Sequence, residues 1–337
     1  MITSTNITID VLRAACLAGL LFIVLSSGYS AYAEQPNCVG CHGRLRQDAF
    51  VHTPVAGGEC TSCHQLAAAK NHPRDKGAVT LIEKDAKLCY LCHENKATKK
   101  HVHSPVASGD CTACHDPHHA PNRSQLKGAG SALCLQCHED FSKNKFIHAP
   151  VEAGMCLDCH EAHDSSHHKL LKKDISVLCV SCHPKDHFNG KSIHAPVAAG
   201  DCVACHNPHG SPYRKLLRSN SPAELYLPYK KSNFDLCFGC HNPEIALDLR
   251  ADSITNFRNG YKNLHTVHVN RPVKGRNCKT CHDEHASPQE MLIKEKIPGF
   301  GKWEIPISYT KTATGGTCVV GCHKPRSYDR LNEETYK

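Results

Sequence analysis

Hydrophobic residues occur along this chain in short bursts, and one burst is longer than the rest. Ala14 to Leu25 is a twelve-residue apolar run preceded by Arg13 and followed by small and polar residues ending in Ala31-Tyr32-Ala33. A basic lead, a short apolar stretch and a small-x-small terminus predict a secretory signal peptide, cut after Ala33. The alternative is an uncleaved anchor, but spanning a bilayer takes about twenty apolar residues. Cys16 follows Arg13-Ala14-Ala15, not the apolar-led box that precedes a lipidated Cys.

Past this run, Pro and Gly punctuate the chain so often that only short helices are expected, at the Cys-rich motifs below and at recurring Leu-Leu positions such as Leu170-Leu171. Trp303 to Thr312 alternates in polarity and predicts a strand. Aromatic residues make up 6% of the chain and Trp303 is its one Trp, so the polypeptide supplies little apolar packing of its own. The pattern predicts mostly coil with short α-helices.

Composition changes the picture, because 23 of the 337 residues are Cys and 27 are His. In an exported chain, paired Cys would by default be disulfides. Their spacing argues otherwise. Ten times the chain reads Cys-x-x-Cys-His: Cys38/Cys41/His42, Cys60/Cys63/His64, Cys89/Cys92/His93, Cys111/Cys114/His115, Cys134/Cys137/His138, Cys156/Cys159/His160, Cys179/Cys182/His183, Cys202/Cys205/His206, Cys237/Cys240/His241 and Cys278/Cys281/His282.

This is the attachment signature of c-type haem: two thiols add to the two vinyl groups on one porphyrin edge, and the next residue brings an imidazole to the iron. One copy alone could be half a zinc site or a redox dithiol, but chance would give only on the order of 0.1 copies in such a chain. Zinc would also leave each motif without a four-ligand grouping. A final pair, Cys318 and Cys322 before His323, has three intervening residues. It reads as an eleventh, stretched attachment site, with a local disulfide as the alternative. About eleven covalent haem c groups would use every Cys after the signal.

The motifs recur as pairs. A unit consists of one motif, a His-(Ser/Thr/Ala)-Pro-Val-x-x-Gly stretch, a second motif and a His three residues beyond it. Residues 134–171 show it cleanly, with His148 and His163, and the unit from Cys179 carries His194 and His209. The unit at Cys89 has His103 and His118. The one at Cys38 has His52 but no His three residues past its second motif, leaving His72 as candidate. The unit at Cys237 has an insertion at about 243–264, then His268 and His285. These ten His are the candidate second axial ligands, and a helical turn after each second motif would aim its His at a neighbouring haem. His101, His119, His167, His168, His187 and His265 remain, a surplus expected to contain the ligand of the eleventh haem. Met155 and Met291 are too few to compete, so bis-His iron at low potential is expected.

The arrangement resembles the doubled Cys-x-x-Cys-His family of multihaem cytochromes over nearly the whole exported chain. Its His-Ala-Pro-Val and Asn-Pro-His-Gly segments look most like decahaem conduit proteins of outer-membrane porin–cytochrome complexes in metal-respiring bacteria. About 28 residues per haem are too few for separate apolar cores, so the haems should form the core of an elongated array. The expected division is a signal at 1–33, four haem-pair units at 34–236, and a fifth pair with a terminal single-haem segment at 237–337.

The formal charge of +8 would suggest nucleic acid or anionic lipid as a partner. Haem propionates reverse that, bringing the oxidised holoprotein to about −3, and no nucleic-acid partner is expected. The expected role is electron conduction in the periplasm or outside the cell, with no catalytic residues. Expected partners are a quinol-oxidising membrane cytochrome and outer-membrane or extracellular cytochromes. An outer-membrane porin or a homo-oligomeric filament remains open as the setting. The alternative is a multihaem reductase of a small nitrogen or sulfur oxyanion, most readily at the Cys318/Cys322 haem.

Overall fold

The computed structural model of the protein describes residues 37–299 and 301–336, and the segment expected to be a signal peptide lies outside the described residues. Helices are one or two turns long. At first motifs, helices such as Asp85–Cys89, Ser131–Cys134 and Ile175–Cys179 run into the first Cys, and the motif His N–H donates to that Cys carbonyl, as His93 does to Cys89 at 2.9 Å. This turn carries both thiols and the imidazole of one motif on a single short loop.

Each His-x-Pro-Val segment is built the same way. His103 stands extended before the helix Ser104–Ala107, whose Pro105 fits the first turn because its N–H would go unused there. Gly109 at φ +78° ends the turn in the left-handed region, as Gly154 and Gly200 do in later units.

Two-residue antiparallel ladders join one unit to the next. Phe50–Val51 pairs with His119–Ala120, His101–Val102 with Asp164–Ser165, Phe146–Ile147 with Gly210–Ser211, and Ser192–Ile193 with Ala286–Ser287. Each ladder sets the His-x-Pro-Val His of one unit beside the x-x-His of the next. Backbone bonds continue it: His52 N to His118 O at 2.9 Å, His103 N to His163 O at 2.8 Å, His148 N to His209 O at 3.1 Å and His194 N to His285 O at 2.9 Å.

Among the described residues before Leu227, the buried apolar ones are only Ala78 and Ala120, so the first four units have almost no polypeptide core. The last third differs. Leu227, Phe234, Ala246 and Val269 pack with Tyr229, Phe238, Ile245 and Cys278 into a small conventional core around the inserted segment. A four-stranded antiparallel sheet follows, made of Lys296–Pro298, Glu304–Lys311, Gly315–Val320 and His323–Asp329. Its second strand falls within the alternating segment that predicts it. The stretched motif lies on this sheet, with Cys318 on a strand, a bulge after it, and Cys322 in the turn before His323. The extra residue thus belongs to a β-hairpin where the other motifs use a helical turn.

Two expectations about helices need correction. The three-residue turns His168–Leu170 and Arg214–Leu216 occupy the Leu-Leu positions, but Lys169, Leu170, Lys215 and Leu216 have φ of +56° to +57°, so their backbone is left-handed. Nor is the chain helical after the second motifs. His282 is extended, and Asp283 Oδ1 accepts the His285 N–H at 3.0 Å, an Asx turn that Asp116 and Asn207 repeat toward His118 and His209.

Candidate haem-binding sites

The ladders and turns bring the imidazoles together in ten near-parallel pairs. First-motif His93, His138, His183 and His241 face His52, His103, His148 and His194, with ring centroids 5.8, 5.9, 6.1 and 6.1 Å apart and ring planes within 22°. Second-motif His64, His115, His160 and His206 face His118, His163, His209 and His285 at 6.1, 6.1, 6.0 and 6.2 Å. Every one of these pairs joins two different units. A His-x-Pro-Val imidazole reaches forward to the next unit's first motif, and an x-x-His reaches back to the previous unit's second motif.

The two ends depart from this rule. His42 has no preceding unit and pairs with His72 at 5.8 Å, from the loop of the irregular first unit. His282 has no following complete unit and pairs with His265 at 6.4 Å, from the insertion. His268, placed by sequence in the fifth unit's set, is instead near enough to His323 to feel its charge.

These spacings fit an iron. Two nitrogens each about 2 Å from a metal, on rings of about 1.1 Å radius, put ring centroids about 6.2 Å apart. The other ring nitrogen is fixed at one member of eight of the ten pairs. In first-motif pairs, Nδ1 of His52, His103, His148 and His194 lies 2.9–3.1 Å from the carbonyls of Pro117, Ala162, Pro208 and Glu284. In second-motif pairs, Nδ1 of His115, His160, His206 and His282 lies 2.8–3.0 Å from those of Ser124, Lys169, Lys215 and Met291. A carbonyl only accepts, so Nδ1 carries the proton and Nε2 is left for a metal.

The residues whose carbonyls accept in the second set stand at φ +54° to +59°, each followed by another left-handed residue. Side chains there cost about 1–2 kcal/mol per residue. The turn that holds this strain is the one that aims a carbonyl at the motif imidazole. Burial also pushes His265 down to about 4 and holds His64, His163, His209, His268, His282 and His285 below the usual imidazole range. A neutral imidazole is the form that binds a metal.

The thiols follow one order. Within units, Cys38 lies against Cys60, Cys89 against Cys111, Cys134 against Cys156, Cys179 against Cys202, and Cys237 against Cys278. Between units, Cys63 feels the charge of Cys92, Cys134 that of Cys114, Cys159 that of Cys182, Cys205 that of Cys240, and Cys281 that of Cys322. Attachment edges of successive motifs therefore adjoin in chain order, through all eleven. Burial pushes the Cys318 thiol up to about 11.

Cys41 and Cys137 stand outside this series of thiol neighbours. Both are exposed, as are the other second thiols of first motifs, Cys92, Cys182 and Cys240, together with Cys322. Cys41 N–H donates to Cys38 O and Cys137 N–H to Cys134 O, each at 3.2 Å, a bond that second motifs also make, as Cys63 N–H does to Cys60 O at 3.3 Å. Among the described residues the cysteines are free thiols, Cys318 and Cys322 included.

Of the surplus His, His265 alone joins a pair with a motif His. His119 Nδ1 meets Asp48 Oδ2 at 2.9 Å, and His167 Nδ1 meets Asp174 Oδ1 at 2.9 Å. His101 and His168 meet edge to face at 5.5 Å, and His187 lies edge-on to Phe188. Among the described residues no helix is long and apolar enough to cross a membrane.

The family model described as the doubled CXXCH motif matches residues 52–98, 103–143, 148–188, 194–246 and 270–300, together more than half of the chain. The chain belongs to this family, a group of multihaem c-type cytochromes. The first four matched stretches open at or beside His52, His103, His148 and His194 and contain the second motif of one unit with the first motif of the next. The family's frame thus spans the junction between units. No curated protein matches the chain.

Proposed function

We propose that this protein conducts electrons along about eleven covalent haems, each bound through two thioethers and two imidazoles, in a respiratory pathway outside the inner membrane. The observation that carries the reading is the set of ten imidazole pairs at iron-spanning distance, each containing a motif His. In this reading His52, His72, His103, His118, His148, His163, His194, His209, His265 and His285 are the second ligands of the first ten haems, and His268 that of the eleventh, at His323. The haem supplies the redox couple. The chain's residues fix its attachment edge, orient its ligands and hold them neutral.

The order of adjoining thiols supports a single file of haems running from Cys38 to Cys322. Electron tunnelling falls off steeply with distance, and adjoining edges keep each step short. The scarcity of buried apolar residues before Leu227 supports haems as the core there. Export to the periplasm or beyond, and cytochrome partners at both ends of the file, complete the proposal.

Intact mass combined with a pyridine haemochrome assay tests it. Eleven haems per chain, with low-spin ferric EPR signals throughout, are expected. A count well below ten would overturn the reading, and a dominant high-spin signal would favour a reductase with an open iron.

A further inference from the structure

One position next to each second motif changes character along the chain, and nothing in the ligand scheme accounts for it. The backbone N–H that donates to the motif's second Cys carbonyl belongs to Ile82 at Cys63, Lys127 at Cys114, Lys172 at Cys159, Arg218 at Cys205 and Lys294 at Cys281, all at 2.8–3.0 Å. The fold therefore puts the same residue beside the same motif five times. In the first unit that residue is apolar. In the other four it is a cation.

In three of the four the charge is also held in place. Lys127 Nζ donates to Thr112 O, Arg218 Nη1 to Val203 O at 3.0 Å and Lys294 Nζ to Lys279 O at 2.9 Å. Thr112, Val203 and Lys279 each directly follow the first Cys of their motif, so the cation reaches back across the attachment loop. The fields of Lys172 and Lys294 register at the sulfurs of Cys159 and Cys281, and among first motifs that of Lys279 registers at Cys237. Among the described residues, no Lys or Arg side chain makes a comparable bond to the first motifs at Cys89, Cys134, Cys179 and Cys237. Lys294 alone of the four has a carboxylate close by, Glu284 Oε2 at 3.5 Å.

We propose that Lys127, Lys172, Arg218 and Lys294 set haem potentials: each fixes a positive charge beside its unit's second haem and so gives the file of haems an alternating potential profile. The proposal rests on the haem attachment argued above. A bis-His ferric haem carries about one positive charge on its iron and loses it on reduction, so a fixed cation destabilises the oxidised form and raises the potential. The interaction is modest in water and larger in a less polar setting. Such an effect changes one haem's reduced-to-oxidised ratio several-fold. Electrons would rest on second haems and pass through first haems.

Spectroelectrochemical titration of the full-length holoprotein tests this, alongside intact mass to count haems. Arg218→Gln should lower one midpoint, changing that haem's reduced-to-oxidised ratio three- to tenfold, which is about 28–59 mV. Arg218→Lys keeps the charge and should restore the wild-type curve, a result that a structural role for the guanidinium would not give. Lys294→Gln should shift less, because Glu284 already offsets that charge.

The converse substitution removes any ambiguity from damage to the fold. Ile82→Lys, at a partly exposed site, should raise the midpoint of the Cys60/Cys63 haem by a similar amount. Unchanged titration curves for both Arg218→Gln and Ile82→Lys, with a full haem count, would overturn the proposal. A low haem count in the wild-type protein would instead overturn the reading beneath it.

Discussion

Substituting His118 by Gly separates local from cross-unit ligation. His118 stands three residues past the motif of Cys111, Cys114 and His115, yet its ring lies 6.1 Å from His64 with the planes 6° apart. Removing the imidazole should open the sixth position of the Cys60/Cys63 haem and leave the Cys111/Cys114 haem six-coordinate. The ladder should survive, because His118 meets His52 through its backbone carbonyl. One haem of eleven then turns high-spin, about 9% of the ferric low-spin EPR intensity, and added imidazole should restore it. A second step assigns the haem. In the His118→Gly background, replacing Cys60 and Cys63 by Ser deletes the affected haem and should abolish the high-spin signal, while replacing Cys111 and Cys114 should leave it. The opposite pattern, or no high-spin signal in the single variant, would refute reciprocal ligation between units.

Three further outcomes are expected. Ser287 is 1% exposed, donates to Ile293 O and accepts the Gln289 N–H at 3.0 Å, so Ser287→Ala should cost about 1–3 kcal/mol in thermal denaturation. Lys215, exposed at φ +56°, should tolerate Gly with a gain of up to about 1 kcal/mol and lose stability as Val, measured as shifts in Tm. Asp164 accepts the Thr98 and Lys99 N–H groups and pairs with Lys99 Nζ at 3.2 Å, which holds its carboxyl at about 2, below the unfolded value of about 3.9. Its stabilisation is therefore full above about pH 4 and lost as pH falls toward 2, and Asp164→Asn should flatten acid unfolding by circular dichroism in that window.

The haem motifs were legible because covalent attachment needs fixed residues at a fixed spacing, which no packing context overrides. The terminal strand was legible from alternation alone. Ligand pairing was not, because it depends on two-residue ladders between segments about 60 residues apart, and pairing that short leaves no periodic trace. Asp116, Asn207 and Asp283, each directly after a motif His, were a readable sign of an Asx turn where a helix was expected. His265 escaped the repeat because the insertion shifted the spacing on which offset reasoning depends. The left-handed carbonyl turns carry Ser, Lys and Met where Gly would have announced them.

The reciprocal ladders also bear on how such an array can grow. If the pairs are ligand pairs, each interior unit lends one imidazole forward and one back, so copying an interior unit in tandem leaves every iron supplied. Removing one does the same. The ends follow a different rule, because each lacks a neighbour to borrow from. His72 in the irregular first unit and His265 in the insertion stand where those loans would be missing. In such a scheme an irregular His, from a loop or an insertion, supplies an iron that the repeat itself leaves short of a ligand.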